Sequence, residues 1–416
     1  MTEYRGKRCQ ICIGCGRCAP ESEALHVVTE SFLRPKSGAE RSVEMGACGQ
    51  RAGLHPESRK GDFVLADIGT TTIAMELYDM QGRKKAQHVC ANPQRIFGAD
   101  VISRIQAAEN ILQRRQMQTQ VRSVLEEGIR EFDKQSTGIE RMYIAANTTM
   151  LYLLCGHDPG PLGYAPFRAD HLESERLWIG GTETVTLPGF SAFVGADVLS
   201  GVLACGMGQE DKLSLLIDLG TNGEMVLGNR TKMVATSTAA GPAFEGMLQK
   251  DRKVVWGADI VDIAAGLLTR GIIDETGLLT DAYFETGIQV ADILLSQEQI
   301  RQLQTAKAAV AAGIRMLMKA YGIRSMAEID RVYLAGGFGY FLKEESAIRI
   351  GLLPKESAGK IVAAGNTALA GAYAYHYDEA ADAGIKEILE HTQVINLAET
   401  DGFSEQFVEN MYLRSF

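Results

Sequence analysis

Residues 64–79 read VLADIGTTTIAMELYD. The apolar run Val64-Leu65-Ala66 carries one carboxylate, Asp67, before a Gly69-Thr70-Thr71-Thr72 reversal and a second run with alternating apolar positions. This predicts a β-hairpin whose turn allows close backbone approach. The pattern recurs at 215–229, LLIDLGTNGEMVLGN, where Asp218, Gly220 and Thr221 stand at one constant offset of 151 residues from Asp67, Gly69 and Thr70. A single such hairpin is satisfied by a tight turn. Two in register predict a duplicated, two-lobed α/β chain.

A carboxylate followed by Gly and Thr suits nucleotide phosphates. Glycine lets backbone N–H groups reach phosphate oxygens, threonine adds a hydroxyl, and the aspartate can hold a magnesium ion through water. Two such turns facing each other would clamp one nucleotide. A third strand, RVYLAGGFGY at 331–340, runs into Gly336-Gly337-Phe338-Gly339. No G-x-x-x-x-G-K-[ST] and no strand-linked G-x-G-x-x-G competes with these motifs. Together they resemble the superfamily of sugar kinases, actin and heat-shock ATPases, whose phosphate motifs match Asp67 to Thr71 and Asp218 to Gly223, and whose adenosine motif matches Ala335 to Gly339. The resemblance runs from residue 63 to the C-terminus and implies the actin-like/sugar-kinase-like ATPase fold.

With 416 residues, 46% of them hydrophobic, the chain can bury large cores in two or three domains. The expected division is 1–62, 63–208 and 209–416, the last including C-terminal closing helices. A net charge of -10 argues against nucleic acid or an anionic membrane as partner. No apolar segment approaches a membrane span, and MTEYRGKRCQIC lacks a signal-peptide core, so a cytoplasmic location is expected.

Five of the 8 cysteines, Cys9, Cys12, Cys15, Cys18 and Cys48, fall in the first 48 residues. In a reducing compartment this points to metal before disulfides. The continuous C-x2-C-x2-C-x2-C run, with Gly14 and Gly16 between thiols, favours iron–sulfur over zinc, which draws pairs from separated knuckles. Cys12, Cys15 and Cys18 resemble the start of a 4Fe-4S loop, with Cys9 or Cys48 as fourth ligand. Cys9, Cys15, Cys18 and Cys48 approximate a 2Fe-2S spacing. Both ligand sets remain open.

Further along, Asn92-Pro93-Gln94-Arg95 and Gly98-Ala99-Asp100 open a helix with Val101, Ile102 and Ile105 on one face, and Val121, Val124, Leu125, Ile129 and Phe132 mark another. Asn147-Thr148-Thr149 follows a buried strand, where Asn147 suits a helix N-cap or a ligand contact equally. Phe193 to Asp197 closes the first lobe. The Ser237 to Gly241 segment before Pro242 suits an anion-facing helix start, with Gly241 at its turn. Ser296 and Gln299 form a capping box for a long helix whose stripe Lys307 interrupts as a snorkelling lysine. Cys90, Cys155 and Cys205 sit in apolar contexts as inert core residues, and the 7 histidines show no paired ligand spacing.

Seven blocks in order, DIGTTT, NPQRIFGADVISRI, NTTMLYLLCG, FVGADVLSG, IDLGTNGE, AAGPAFEG and LAGGFG, look like the ATPase part of the reductive activators of corrinoid proteins. That family joins an iron–sulfur domain to an actin-like ATPase. The resemblance implies an ATP-hydrolysing electron-transfer activase that passes one electron from its cluster to cobalt(II) of a corrinoid protein in a methyltransferase system, with ATP, magnesium and an upstream electron donor; a homodimer is left open. It also implies roles for residues: Asp67 and Asp218 hold magnesium or orient water; Gly69, Thr70, Thr71, Asn147, Gly220, Thr221, Asn222, Gly223 and Gly241 surround phosphates; Gly336, Gly337 and Phe338 meet adenosine. Some 62 residues precede the ATPase part, too few for the ferredoxin plus intervening domain of longer activators. Two rivals are an ATP-switched redox sensor and a small-molecule kinase with Asp197 or Asp218 as base, which gives no reason for the N-terminal cysteines.

Overall fold

A computed structural model describes residues 2–4, 7–9, 61–220, 222–244, 247–248, 254–255, 257–290, 293–378 and 380–416. Of the iron–sulfur candidates, Cys9 ends strand β2 (Lys7–Cys9), which pairs with β1 (Thr2–Tyr4); Cys12, Cys15, Cys18 and Cys48 lie outside the described residues, as does Thr221. The chain forms two compact bodies. One comprises residues 61–209 with Asn366–Val394, the other Glu210–Gly365 with Ile395–Phe416.

In the first body, β3 (Asp62–Ile68), β4 (Thr72–Tyr78) and β5 (Lys84–Ala91) form an antiparallel meander. Helices α1 (Val101–Ala108) and α2 (Ile111–Asp133) then lead to β6 (Ile139–Ala146), parallel to β3. After α3 (Thr148–Cys155) come β7 (Arg176–Ile179), β8 (Thr182–Thr186) and α4 (Ala196–Ala204), completing the order β5-β4-β3-β6-β8-β7. β3 is buried on both faces, which is why it reads as an unbroken apolar run. Val64, Ala66 and Ile68 pack with Val121, Leu125 and Ile129 of α2, while Phe63 and Leu65 face a second cluster.

The second body repeats this plan. β9 (Ser214–Leu219), β10 (Gly223–Asn229) and β11 (Lys232–Thr238) are an antiparallel meander. Two short hairpins follow, β12 (Met247–Leu248) with β13 (Val254–Val255) and, beyond α5 (Gly257–Thr269), β14 (Ile288–Val290) with β15 (Ile293–Leu295). The long α6 (Gln297–Tyr321) starts at the expected capping box and delivers the chain to β16 (Arg331–Ala335), parallel to β9. α7 (Gly336–Phe341) and β17 (Ile361–Gly365) follow, and the six-stranded order is β17-β16-β9-β10-β11-β18, whose edge strand β18 is Thr392–Val394. Five strands in each body thus share one order and one set of directions, and the duplicated actin-like α/β fold expected from the paired hairpins is present.

The chain then departs from a simple cut near residue 209. α8 (Thr367–Tyr377) packs in the first body, its Leu369 and Ala372 joining Phe63 and Leu65. A Cβ on Gly371 would lie 2.0 Å from the Ser200 carbonyl oxygen, so glycine is what lets α8 close on α4. α9 (Ala381–His391) follows in the same body.

Two side chains depart from their sequence expectations. In α1 the buried residues are Val101, Arg104, Ile105 and Ala108, and Ile102 is 39% exposed. Lys307 does not snorkel: it is buried, and its Nζ donates to the carbonyls of Tyr412 (2.6 Å) and Gly351 (3.4 Å). Those acceptors satisfy a cation that the interior would otherwise exclude. No helix among the described residues is long and apolar enough to cross a membrane.

Candidate functional site

The first hairpin turn is held from beneath. Gly69 N–H donates to the Thr72 carbonyl at 2.9 Å, and a Cβ on Gly69 would fall 2.9 Å from that same oxygen. Asn92 Nδ2 donates to the Gly69 carbonyl (2.8 Å), Asn92 N–H to the Thr71 carbonyl (2.8 Å), and Arg104 Nη2 to the Thr70 carbonyl (2.6 Å). Every carbonyl of the three-residue turn, each of which would repel an anion, is therefore occupied. Arg104 is fully buried and also donates through Nε to the Gly98 carbonyl, placing a fixed positive charge under the turn.

Asn147 is the helix N-cap and also reaches the first turn. Its Oδ1 caps α3 by accepting from Met150 N–H (3.0 Å), and its Nδ2 donates to Thr70 Oγ1 (3.2 Å). Gly195 is packed against this cap, since a Cβ there would stand 2.6 Å from Asn147 Cα. Asp197, one of the two bases a kinase reading would employ, accepts from Val198 N–H at 2.9 Å. Asp67 receives Asn366 Nδ2 at 2.8 Å, while Asn366 Oδ1 caps α8. Asp67 shares a strand face with Phe63 and Leu65, the face α8 covers, which brings Asn366 within reach.

The second hairpin differs by one residue. Ile68 pairs with Ile73, but Leu219 pairs with Gly223, and Gly220 N–H donates to the Asn222 carbonyl at 2.9 Å. The offset of 151 residues therefore becomes 150 beyond the turn. This places Glu224 directly opposite Asp218 across the strands, where the first hairpin has Ala74 opposite Asp67. Directly paired residues share a face, so two carboxylates converge in the second body alone. Glu224 is the functional candidate that sequence reasoning missed: a constant offset matches it to Ile73, on the wrong face.

Burial pushes the Asp218 carboxyl up to about 6. No described residue forms a hydrogen bond to it. Ala335 pairs with Asp218 across β16, and a Cβ on Gly336 (φ +75°) would sit 3.0 Å from Asp218 Oδ1. The LAGGFG segment thus meets the acidic turn within one body. Gly337 borders open space. Phe338 is 8% exposed, its ring centroid 4.6 Å from that of Phe244, so its side chain belongs to the core and only its backbone is offered to a ligand. Gly223 is likewise a packing residue, its missing Cβ leaving room for Thr238 and Val310. Gly241 (φ +76°) turns the chain ahead of the short helix Pro242–Phe244.

An acidic pair with a half-buried carboxylate that no described residue hydrogen-bonds suits a cation, and a turn stripped of exposed carbonyls over a buried guanidinium suits an anion. Residues 64–210 match the family described as the RACo middle region, and residues 212–250 and 247–415 match the C-terminal domain of RACo, the ASKHA domain. The chain belongs to the RACo family. Among RACo relatives, it is 31% identical over 412 residues to the corrinoid activation enzyme RamQ of Eubacterium limosum, covering 83% of this chain and 69% of that one. It is 22% identical over 379 residues to the Co(II) methylated amine-specific corrinoid protein reductase of Methanosarcina barkeri, covering 74% and 68%. A solved structure titled reductive activator for corrinoid, iron–sulfur protein superposes with a TM-score of 0.75 at 30% identity, over 86% of this chain and 66% of that chain.

Proposed function

We propose that this protein reductively activates a corrinoid protein, using ATP to drive one electron onto cobalt(II) and restore the cobalt(I) nucleophile for methyl transfer. The relatives named above support that reading, and the observation that carries the nucleotide part is the Asp218 carboxylate, facing Glu224 and touching no described hydrogen-bond donor. Asp218 and Glu224 hold magnesium, directly or through water. Asp67, oriented by Asn366, positions a water or an ion at the first turn. Backbone N–H groups of Gly69, Thr70 and Thr71 and of Gly220, Thr221 and Asn222 bind phosphate oxygens, with Asn147 orienting the Thr70 hydroxyl. Gly241 and the Gly336–Gly337 backbone border the rest of the nucleotide.

Four of Cys9, Cys12, Cys15, Cys18 and Cys48 hold an iron–sulfur cluster, which supplies the electron. Each ~60 mV of unfavourable potential gap costs about 1.4 kcal/mol, so nucleotide binding or hydrolysis by the paired turns supplies what the donor lacks. An upstream reductant refills the donor, and the reducing cytoplasm keeps the thiols available.

The test is anaerobic mixing of the reduced protein with candidate cobalt(II) corrinoid proteins, following loss of the cobalt(II) paramagnetic signal. Cobalt(I) should form with Mg-ATP and not without it. Equal rates in both arms, or no iron in the oxygen-free protein, would sink the assignment.

A further inference from the structure

Away from the turns, at the far end of α3, three donor groups of different chemistry meet. Cys155 Sγ, a His157 ring nitrogen and a Glu175 carboxylate oxygen all lie within 4.8 Å of one another, and all three residues are half-buried. His157 Nε2 is 2.6 Å from Glu175 Oε1. Cys155 was expected from sequence to be inert core and the histidines to lack ligand spacing; the fold brings a third donor to them, because Glu175, distant in sequence, reaches the pair through the sheet.

Backbone geometry fixes this arrangement before any ion arrives. Cys155 is the last residue of α3, Gly156 adopts a left-handed φ of 86°, and the N–H groups of Gly156 and His157 both donate to the Tyr152 carbonyl at 2.9 Å. That Cys-Gly-His turn brings the two side chains together. Glu175 is tied on the other side: its N–H donates to Thr186 Oγ1 and its carbonyl accepts from Thr186 N–H, each at 2.9 Å. The His157 ring is stacked face to face on His171, centroids 3.7 Å apart and 1° from parallel. His171 N–H in turn donates to Tyr152 Oη at 2.8 Å. A donor set held by rigid elements and second contacts is what a metal site requires.

We infer that Cys155, His157 and Glu175 bind one divalent ion of the zinc class, water completing a tetrahedron. One sulfur, one imidazole nitrogen and one carboxylate oxygen suit zinc better than magnesium or calcium, which take oxygen ligands throughout. Binding releases the Cys155 thiol proton to bulk water, and the ion takes the place of the His157–Glu175 hydrogen bond. Without an ion, burial and the neighbouring Glu175 charge push the Cys155 thiol up to about 12, with Arg122 opposing. A bound cation removes that conflict, and it joins the end of α3 to the start of β7. This site is independent of the corrinoid reading.

Zinc K-edge X-ray absorption on the full chain, purified with its iron and given one equivalent of zinc, reads the site without interference from iron. The expected shell is one sulfur at about 2.3 Å and three nitrogen or oxygen atoms at about 2.0–2.2 Å. Cys155→Ser should lose the sulfur scatterer and weaken zinc retention on dialysis at least tenfold. His157→Gln should weaken it comparably while keeping the sulfur. A shell of four sulfurs would place the zinc on the N-terminal cysteines and overturn the proposal. So would wild-type protein that retains no zinc, or zinc retention unchanged in both variants. Because the wild-type spectrum alone decides between these shells, a variant that fails to fold leaves the test intact.

Discussion

At the scale of single residues, Asp218 carries the sharpest expectation. Its folded value of about 6 lies above the ordinary 3.8, so between those limits the folded chain holds a proton that the unfolded chain releases. The group's stabilising contribution is therefore complete at low pH and is lost as pH rises through about 6. Cation binding needs the ionised form and has the opposite trend. Mg-ATP affinity should rise up to about tenfold per pH unit toward pH 6 and flatten above it. Asp218→Asn should abolish that rise while making the nucleotide-free protein more stable at pH 7, by on the order of 1–3 kcal/mol. Calorimetric titration across pH 5–8, with thermal unfolding of both proteins, checks this; an unaltered pH profile in the variant would count against Asp218 as the ligand. Sequence alone exposed Asp67, Asp218 and their glycines because a carboxylate in an apolar run stands out. It concealed Glu224, whose face depends on turn length, and Arg104, a cation on a stripe that reads as apolar until its two carbonyl acceptors are seen.

At the scale of elements, hairpins, parallel third strands and helix caps were legible, because periodicity and capping chemistry are local. The capping box at Ser296 and the N-cap at Asn147 needed only neighbours in sequence. What joins α8 to α4 is not local. Gly371 meets the Ser200 backbone across 171 residues of chain, and that approach helps seat the helix whose cap, Asn366, donates to Asp67. Gly371→Ala should force the helices apart and cost about 1–3 kcal/mol, measured by urea unfolding. It should also weaken nucleotide binding by displacing Asn366. A variant as stable as wild type, with unchanged affinity, would show that the contact yields at no cost.

At the scale of the whole molecule, the division into two bodies does not follow chain order. Helices α8 and α9 leave the second body and pack in the first, an exchange no composition shift announces. If both turns bind one nucleotide, Mg-ATP should slow backbone hydrogen exchange at residues 69–71 and at 220–222 together. Protection confined to one turn would mean that the other serves something else, and the single-nucleotide reading would have to be given up.

The residue missing from the second turn has one more implication. A gene that doubled and then kept identical halves would offer a ligand two interchangeable grips. Here one grip has lost a link and gained an acid, so the two halves are no longer chemically equivalent. A triphosphate has a terminal end and an ester end, and unequal grips give the protein the means to tell them apart.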